Sequence, residues 1–148
     1  MDNEIGINPI ILVVEDVHET RDGIKKLLKV DGYRVVLARD ELDGIESAQR
    51  QRPDLILVSL DGLLSEVLGS GRRIRESAAA GDDLPVVIFC CDEIPEGAEV
   101  AIGQNVHIVQ PDNFNQLRGL LSRLLRRIPK VRLSVTMQPA SSRRKEEL

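Results

Sequence analysis

Two stretches, Ile10-Ile11-Leu12-Val13-Val14-Glu15-Asp16 and Leu55-Ile56-Leu57-Val58-Ser59, decide how this chain folds. Each is apolar at every successive position until its polar exit. A strand with one wet face alternates apolar and polar; a strand covered on both faces does not. Three further runs have the same character: Arg34-Val35-Val36-Leu37-Ala38, Pro85-Val86-Val87-Ile88-Phe89-Cys90 and Val106-His107-Ile108-Val109. The segments between them carry helical spacing. Ile24, Leu27 and Leu28 form an i, i+3, i+4 stripe that stops at Asp31-Gly32, and Leu42, Ile45 and Ala48 form a second, ended by Pro53. A third helix falls within 64–79. A fourth, around 95–103, is short and weakened by Pro95, Gly97 and Gly103. The last is the clearest: Phe114, Leu117, Leu120, Leu121, Leu124 and Leu125, with Asp112 or Asn113 as its N-cap. Gly69-Ser70-Gly71 is followed by no phosphate-loop lysine and reads as a flexible turn or a helix start. Five strands alternating with five helices predict a doubly wound α/β domain: a five-stranded parallel sheet in a three-layer sandwich.

Composition narrows the function classes. The 148 residues make one domain, and 42% hydrophobic content suffices for a core. Tyr33, Phe89 and Phe114 are the only aromatics, so Val, Ile and Leu must do the packing. A net charge of −4 argues against a nucleic-acid partner. No apolar run approaches membrane-spanning length, and Met1-Asp2-Asn3-Glu4 offers no basic signal-peptide start. The adjacent pair Cys90-Cys91 has no third cysteine to bridge to, which fits a reducing cytoplasm.

In such a fold ligands bind where strands end on their carboxyl side. The exits are Glu15-Asp16, Ser59-Leu60-Asp61, Cys90 and Gln110-Pro111. An acidic pair at one exit and a reactive position at the next is how a magnesium-dependent phosphoacceptor pocket is built. Here a serine stands where that chemistry wants an aspartate. Simpler readings stand beside these. Glu15 and Asp16 could cap the next helix; Asp61 could be a turn residue of Leu60-Asp61-Gly62 or a substitute ligand or acceptor. Cys90 and Cys91 fit as small core residues or redox sensors, and His107 as a tolerated strand histidine or a pH switch.

Over residues 8–127 the chain resembles the receiver domain of two-component response regulators. The resemblance rests on Ile-Leu-Val-Val-Glu-Asp (11–16), Arg-Pro-Asp-Leu-Ile-Leu-Val-Ser (52–59), Arg-Arg-Ile-Arg (72–75), Leu-Pro-Val-Val-Ile (84–88) and Gln110-Pro111. It implies a flavodoxin-like fold and phosphoryl transfer from a kinase phosphohistidine to an aspartate, assisted by Mg²⁺. It puts Glu15 and Asp16 on the acidic pair, Ser59 on the phosphoacceptor, Cys90 on the hydroxyl switch residue, Gln110 on the lysine and His107 on the switch aromatic. Asp61 falls where the family supplies a backbone carbonyl to the metal. The departures at Ser59, Cys90 and Gln110 each remove a chemical function. A neutral hydroxyl with no evident base does not attack phosphohistidine. Magnesium loses a carboxylate, so its site is weak or absent. Gln110 carries no cation, and a Cys90 thiol donates poorly. Ser59 also removes like-charge repulsion from Glu15 and Asp16.

The expectation is therefore a stand-alone, receiver-like signalling domain rather than an enzyme, independent of phosphorylation, with no obligatory cofactor. It would act through a protein partner, a histidine kinase or an effector. Rival readings are an active receiver phosphorylated on Asp61, and a small α/β ligand-binding module using Cys90 and Gln110. Arg118, Arg123, Arg126, Arg127, Lys130 and Arg132 make the end of the chain basic. That surface is either a solvated helix back or, by the resemblance, part of a homodimer face of helix 4, strand 5 and helix 5. Beyond it, 128–148 reads as a partly disordered extension in which Val131 to Met137 alternates like an edge strand, suited to swapping onto a neighbour.

Overall fold

The computed structural model describes residues 8–89 and 92–126. Cys90, Cys91, Arg127, Lys130, Arg132 and the expected 131–137 strand lie outside the described residues. The elements are β1 (Ile10–Glu15), α1 (His18–Val30), β2 (Arg34–Ala38), α2 (Glu41–Arg50), β3 (Leu55–Ser59), α3 (Leu64–Ser77), β4 (Val86–Phe89), β5 (Glu99–Ala101), β6 (Val106–Val109) and α4 (Phe114–Arg126). The strands form one sheet in the order β2-β1-β3-β4-β6-β5, parallel except for β5, which runs antiparallel to β6.

The two parities of each central strand feed two cores. Leu12, Val14, Ile56, Val58, Val86, Ile88 and Ile108 face Ala48 of α2 and Val67 and Ile74 of α3. Ile11, Val13, Leu55, Leu57, Val87 and Val109 face Ile24 and Leu28 of α1 and the Leu117, Leu120, Leu121, Leu124 and Leu125 stripe of α4. Hence the runs that decide the fold are apolar throughout. β2 ends the sheet, and Val35, Val36 and Leu37 are accordingly only partly covered, while Ala38 is buried.

Caps fall where the residue types put them. Asp31 caps α1, and Gly32 follows at φ +92°, a conformation that L side chains resist. Asn113 precedes α4, and its Oδ1 accepts from Gln116 N at 3.1 Å.

Four sequence expectations need correction. The helix around 95–103 does not form; a turn and the three-residue β5 replace it, so the sheet has six strands and the described residues four helices. Pro95 and the positive φ of Gly97 and Gly103 deny that segment a helix. Its backbone finds β6 instead, with Gly97 N donating to Gln110 O and Gln110 N to Ala98 O. The expected homodimer face therefore lacks its helix 4. Gly69-Ser70-Gly71 is not a turn but the middle of α3. A Cβ on Gly71 would stand 2.8 Å from Val86 Cγ1, so glycine lets α3 lie close on the sheet. Leu27 and Leu42 are 46% and 66% exposed and flank their helices' contacts rather than filling them.

Glu41 ties α2 to α3: its Oε1 accepts from Ser70 Oγ at 2.7 Å and from Arg73 Nη2 at 2.8 Å. The Arg73 and Ser70 bonds hold the carboxyl pKa down at about 2 from 4.5. A depressed carboxylate stabilises the fold above its unfolded pKa and stops doing so as pH falls through the folded one. The window is pH 4.5 to about 2. Glu41→Gln should therefore lower Tm by about 2–4 °C at pH 7, with the difference from wild type closing toward pH 2 in a series of thermal melts.

Candidate functional site

Because β1, β3, β4 and β6 are neighbours in the sheet, their exits lie side by side, as the topological argument requires. Glu15 and Ser59 are register partners at the ends of β1 and β3. Glu15 is 3% exposed. Burial pushes its carboxyl pKa up, and the Ser59 hydroxyl and the Val17 N–H, both donating to it, pull the other way. The Val17 bond measures 3.0 Å to Oε2. Neighbouring Asp16 adds to the upward push.

Neither acid caps α1 in the ordinary sense. Its N-cap is Val17, with no side-chain cap bond. Arg21 does more here than sequence reasoning assigned it. Its Nη1 donates to the Glu15 carbonyl at 2.7 Å, and its Nη2 sits 3.2 Å from His18 Nδ1. A cation in the first turns of a helix opposes the macrodipole, and that local conflict is the signal that could have marked it.

Glu15 is turned inward onto Ser59 and Val17. Among the described residues no three His, Cys, Asp or Glu side chains stand where they could hold an ion together, Glu15, Asp16 and Asp61 included. Asp61 is exposed on the loop after β3. It borders a separate cavity of about 220 Å³ between the β3 and β4 exits, with Asp92 and Glu93 at its rim and Leu64, Val67 and Ile88 below.

The remaining positions have structural partners. Gln110 Nε2 donates to Ile94 O at 3.1 Å and so holds the turn leading into β5. His107 lies half-buried on β6 between Val87 and Ala101, with Nε2 2.8 Å from Asn105 Oδ1. Cys90 lies outside the described residues. Of the basic residues on α4, Arg118 grips Asp31 with Nε and Nη2 at 2.8 and 2.6 Å, and Arg123 holds Glu99 at 2.7 Å. That helix back is partly spent on intramolecular bonds.

No family model matches the chain. The response regulator MprA of Mycobacterium leprae is 32% identical over 124 residues, 79% of this chain and 51% of the relative. The protein of the same name from Mycobacterium ulcerans is 32% identical over 124 residues, 79% of this chain and 50% of the relative. The chain thus spans about half the length of the curated relatives it matches. Among solved structures, the receiver domain of a sensor histidine kinase from Pseudomonas aeruginosa, with a magnesium ion in its active-site cleft, has a TM-score of 0.59 at 28% identity, covering 80% of this chain and 98% of that one. A response regulator from Thermotoga maritima gives 0.61 at 20% identity, covering 81% and 99%, a likeness of fold. Relatives that are response regulators, neighbours that are receiver domains and a sheet wound in the same way agree: the chain is a receiver domain of the response-regulator family.

Proposed function

We propose that this receiver domain signals without phosphorylation at its acceptor position and acts by contact with a signalling protein in the cytoplasm. One observation carries the reading: the Ser59 hydroxyl, at the exit of β3, is donated to Glu15, a carboxylate that burial holds toward its neutral form. The hydrogen bond engages the acceptor position in the resting pocket. A hydroxyl bound in this way is not an anionic nucleophile. Gln110, held by Ile94, brings no positive charge toward a phosphoryl group. What remains for signalling is the shape of the strand exits and the surface around them. The partner would be a histidine kinase or an effector that reads one fixed conformation.

The test is incubation with a small acyl-phosphate donor and Mg²⁺, followed by intact mass measurement. The expected result is the unmodified mass. A phosphoryl adduct overturns the proposal; loss of that adduct in Asp61→Asn would identify Asp61 as a working acceptor. A rise in Tm with a small metabolite but none with Mg²⁺ would instead favour a ligand-binding module.

A further inference from the structure

β5 closes one side of the sheet among the described residues, and its three residues are exposed. In an antiparallel pair, residues alternate between bonding the partner strand and pointing away from it. Ala98 O accepts from Gln110 N, and Ile102 N donates to Val106 O, so positions 98, 100 and 102 serve β6. The backbone N–H and C=O of Glu99 and Ala101 consequently face outward. An open edge is a template for another strand unless charge or proline guards it. The charge of Glu99 is drawn onto α4 by Arg123, 2.7 Å away. Val100 and Ile102 are each 38% exposed. Beside them a cavity of about 220 Å³ opens between β5, β6 and α4, lined by Ala101, His107, Leu120 and Leu124 among others.

The occupant is in the same sequence. Val131-Arg132-Leu133-Ser134-Val135-Thr136-Met137 is apolar at every second position, the pattern of a strand with one covered face. It starts five residues beyond the end of α4 at Arg126. Handedness keeps it off its own β5. α1 and α4 cover the same face of the sheet. The β1–α1–β2 crossover on that face moves toward the β2 edge. A crossover from β6 through α4 to a strand beyond β5 would move the opposite way on the same face. If the first is right-handed, as nearly all are, the second is left-handed. No such constraint applies to the edge of another molecule. Charge favours β5 over the opposite edge: the segment carries Arg132 and follows Lys130, β2 begins with Arg34 and is followed by Arg39, and β5 follows Glu96 and contains Glu99.

We propose that residues 131–137 of one copy add as a strand to the outer edge of β5 in a second copy, giving an exchanged homodimer. Two full-length variants separate the halves of the contact. Ala101→Pro removes an outward N–H while sparing the β6 ladder, and edge strands accept proline. Leu133→Asp with Val135→Asp spoils the inserted face and leaves residues 8–126 unaltered. Light scattering after size exclusion should give twice the chain mass for wild type at micromolar concentration and a single chain mass for each variant. An equimolar mixture of the two variants should regain a dimer, since one supplies an intact segment and the other an intact edge. A monomeric wild type, or a dimer that survives the Leu133/Val135 change, overturns the proposal. So does a monomer whose Tm falls on that change, because the segment would then be seated on its own fold.

Discussion

Ser59→Asp, which restores the residue type that phosphoacceptor chemistry needs, is expected to destabilise the protein by about 2–3 kcal/mol at pH 7. The new carboxylate would enter at the register position facing Glu15, which is 3% exposed and already pushed toward its neutral form by burial and by Asp16. It would also remove the hydroxyl that now donates to Glu15. Ser59→Ala loses only that donor, so its cost should be smaller, about 1 kcal/mol. The pH dependence follows from the direction of the Glu15 shift. A carboxyl raised in the folded state costs stability above its folded pKa, and the cost is gone below its unfolded value of 4.5. Both variants raise Glu15 further, so their deficit should be widest at pH 7 and close as pH falls below about 4.5. Urea denaturation across that range measures it. A Ser59→Asp protein as stable as wild type at pH 7 would mean that Glu15 does not depend on the serine. The Glu41→Gln deficit also closes in acid, but over the lower window from pH 4.5 to about 2, so the two sites are told apart by the pH range in which their deficits disappear.

The parts of this site that were legible in the sequence are those dictated by period and polarity. Most both-parity apolar runs are central strands, edge strand β2 being the exception, and the polar residues that end Val13-Val14 and Leu57-Val58 then meet at one sheet end, as Glu15 and Ser59 do. The switch from apolar to polar carries position as well as type. What stayed hidden depended on contacts between elements far apart in sequence. Gly69-Ser70-Gly71 reads as a flexible turn or a helix start, yet it lies inside α3, where the close approach of Gly71 to Val86 requires a residue without a side chain. The 95–103 segment has too few residues for its pattern to choose between a poor helix and a short strand, and β6 decided it by pairing. At Gln110 the sequence shows a neutral residue at a strand exit; the structure adds that its amide holds the turn leading into β5.

Arg75 makes the same point at larger cost. On α3, a charged residue that nothing local marks as buried, it is 6% exposed. Its Nη1 donates to Leu84 O at 3.1 Å and to Gln104 O at 2.7 Å, and Nη2 stands 3.7 Å from Asp82. One guanidinium thus joins the entry of β4 to the β5–β6 turn. That turn carries Gln104 and Asn105 at positive φ, of 55° and 62°, a conformation that asparagine tolerates and that is costly for Gln104. Arg75→Ala should cost about 2–4 kcal/mol, the sum of a buried carbonyl left without its donor and a cavity where the side chain lay. Arg75→Lys should recover less than half, because an ammonium on a flexible stem does not hold two carbonyls in the fixed directions of the fork. Chemical denaturation gives the stability, and amide exchange gives the location. Exchange should accelerate in Ala98, Ile102 and Val106, whose N–H groups are bonded in and around the β5–β6 hairpin, before it accelerates in Leu12 or Leu57 at the sheet centre. Uniform acceleration across the sheet would mean that Arg75 supports the whole core and has no special hold on β5. Selective loss at the hairpin would make Arg75 the residue on which the edge strand, and any contact made through it, depends.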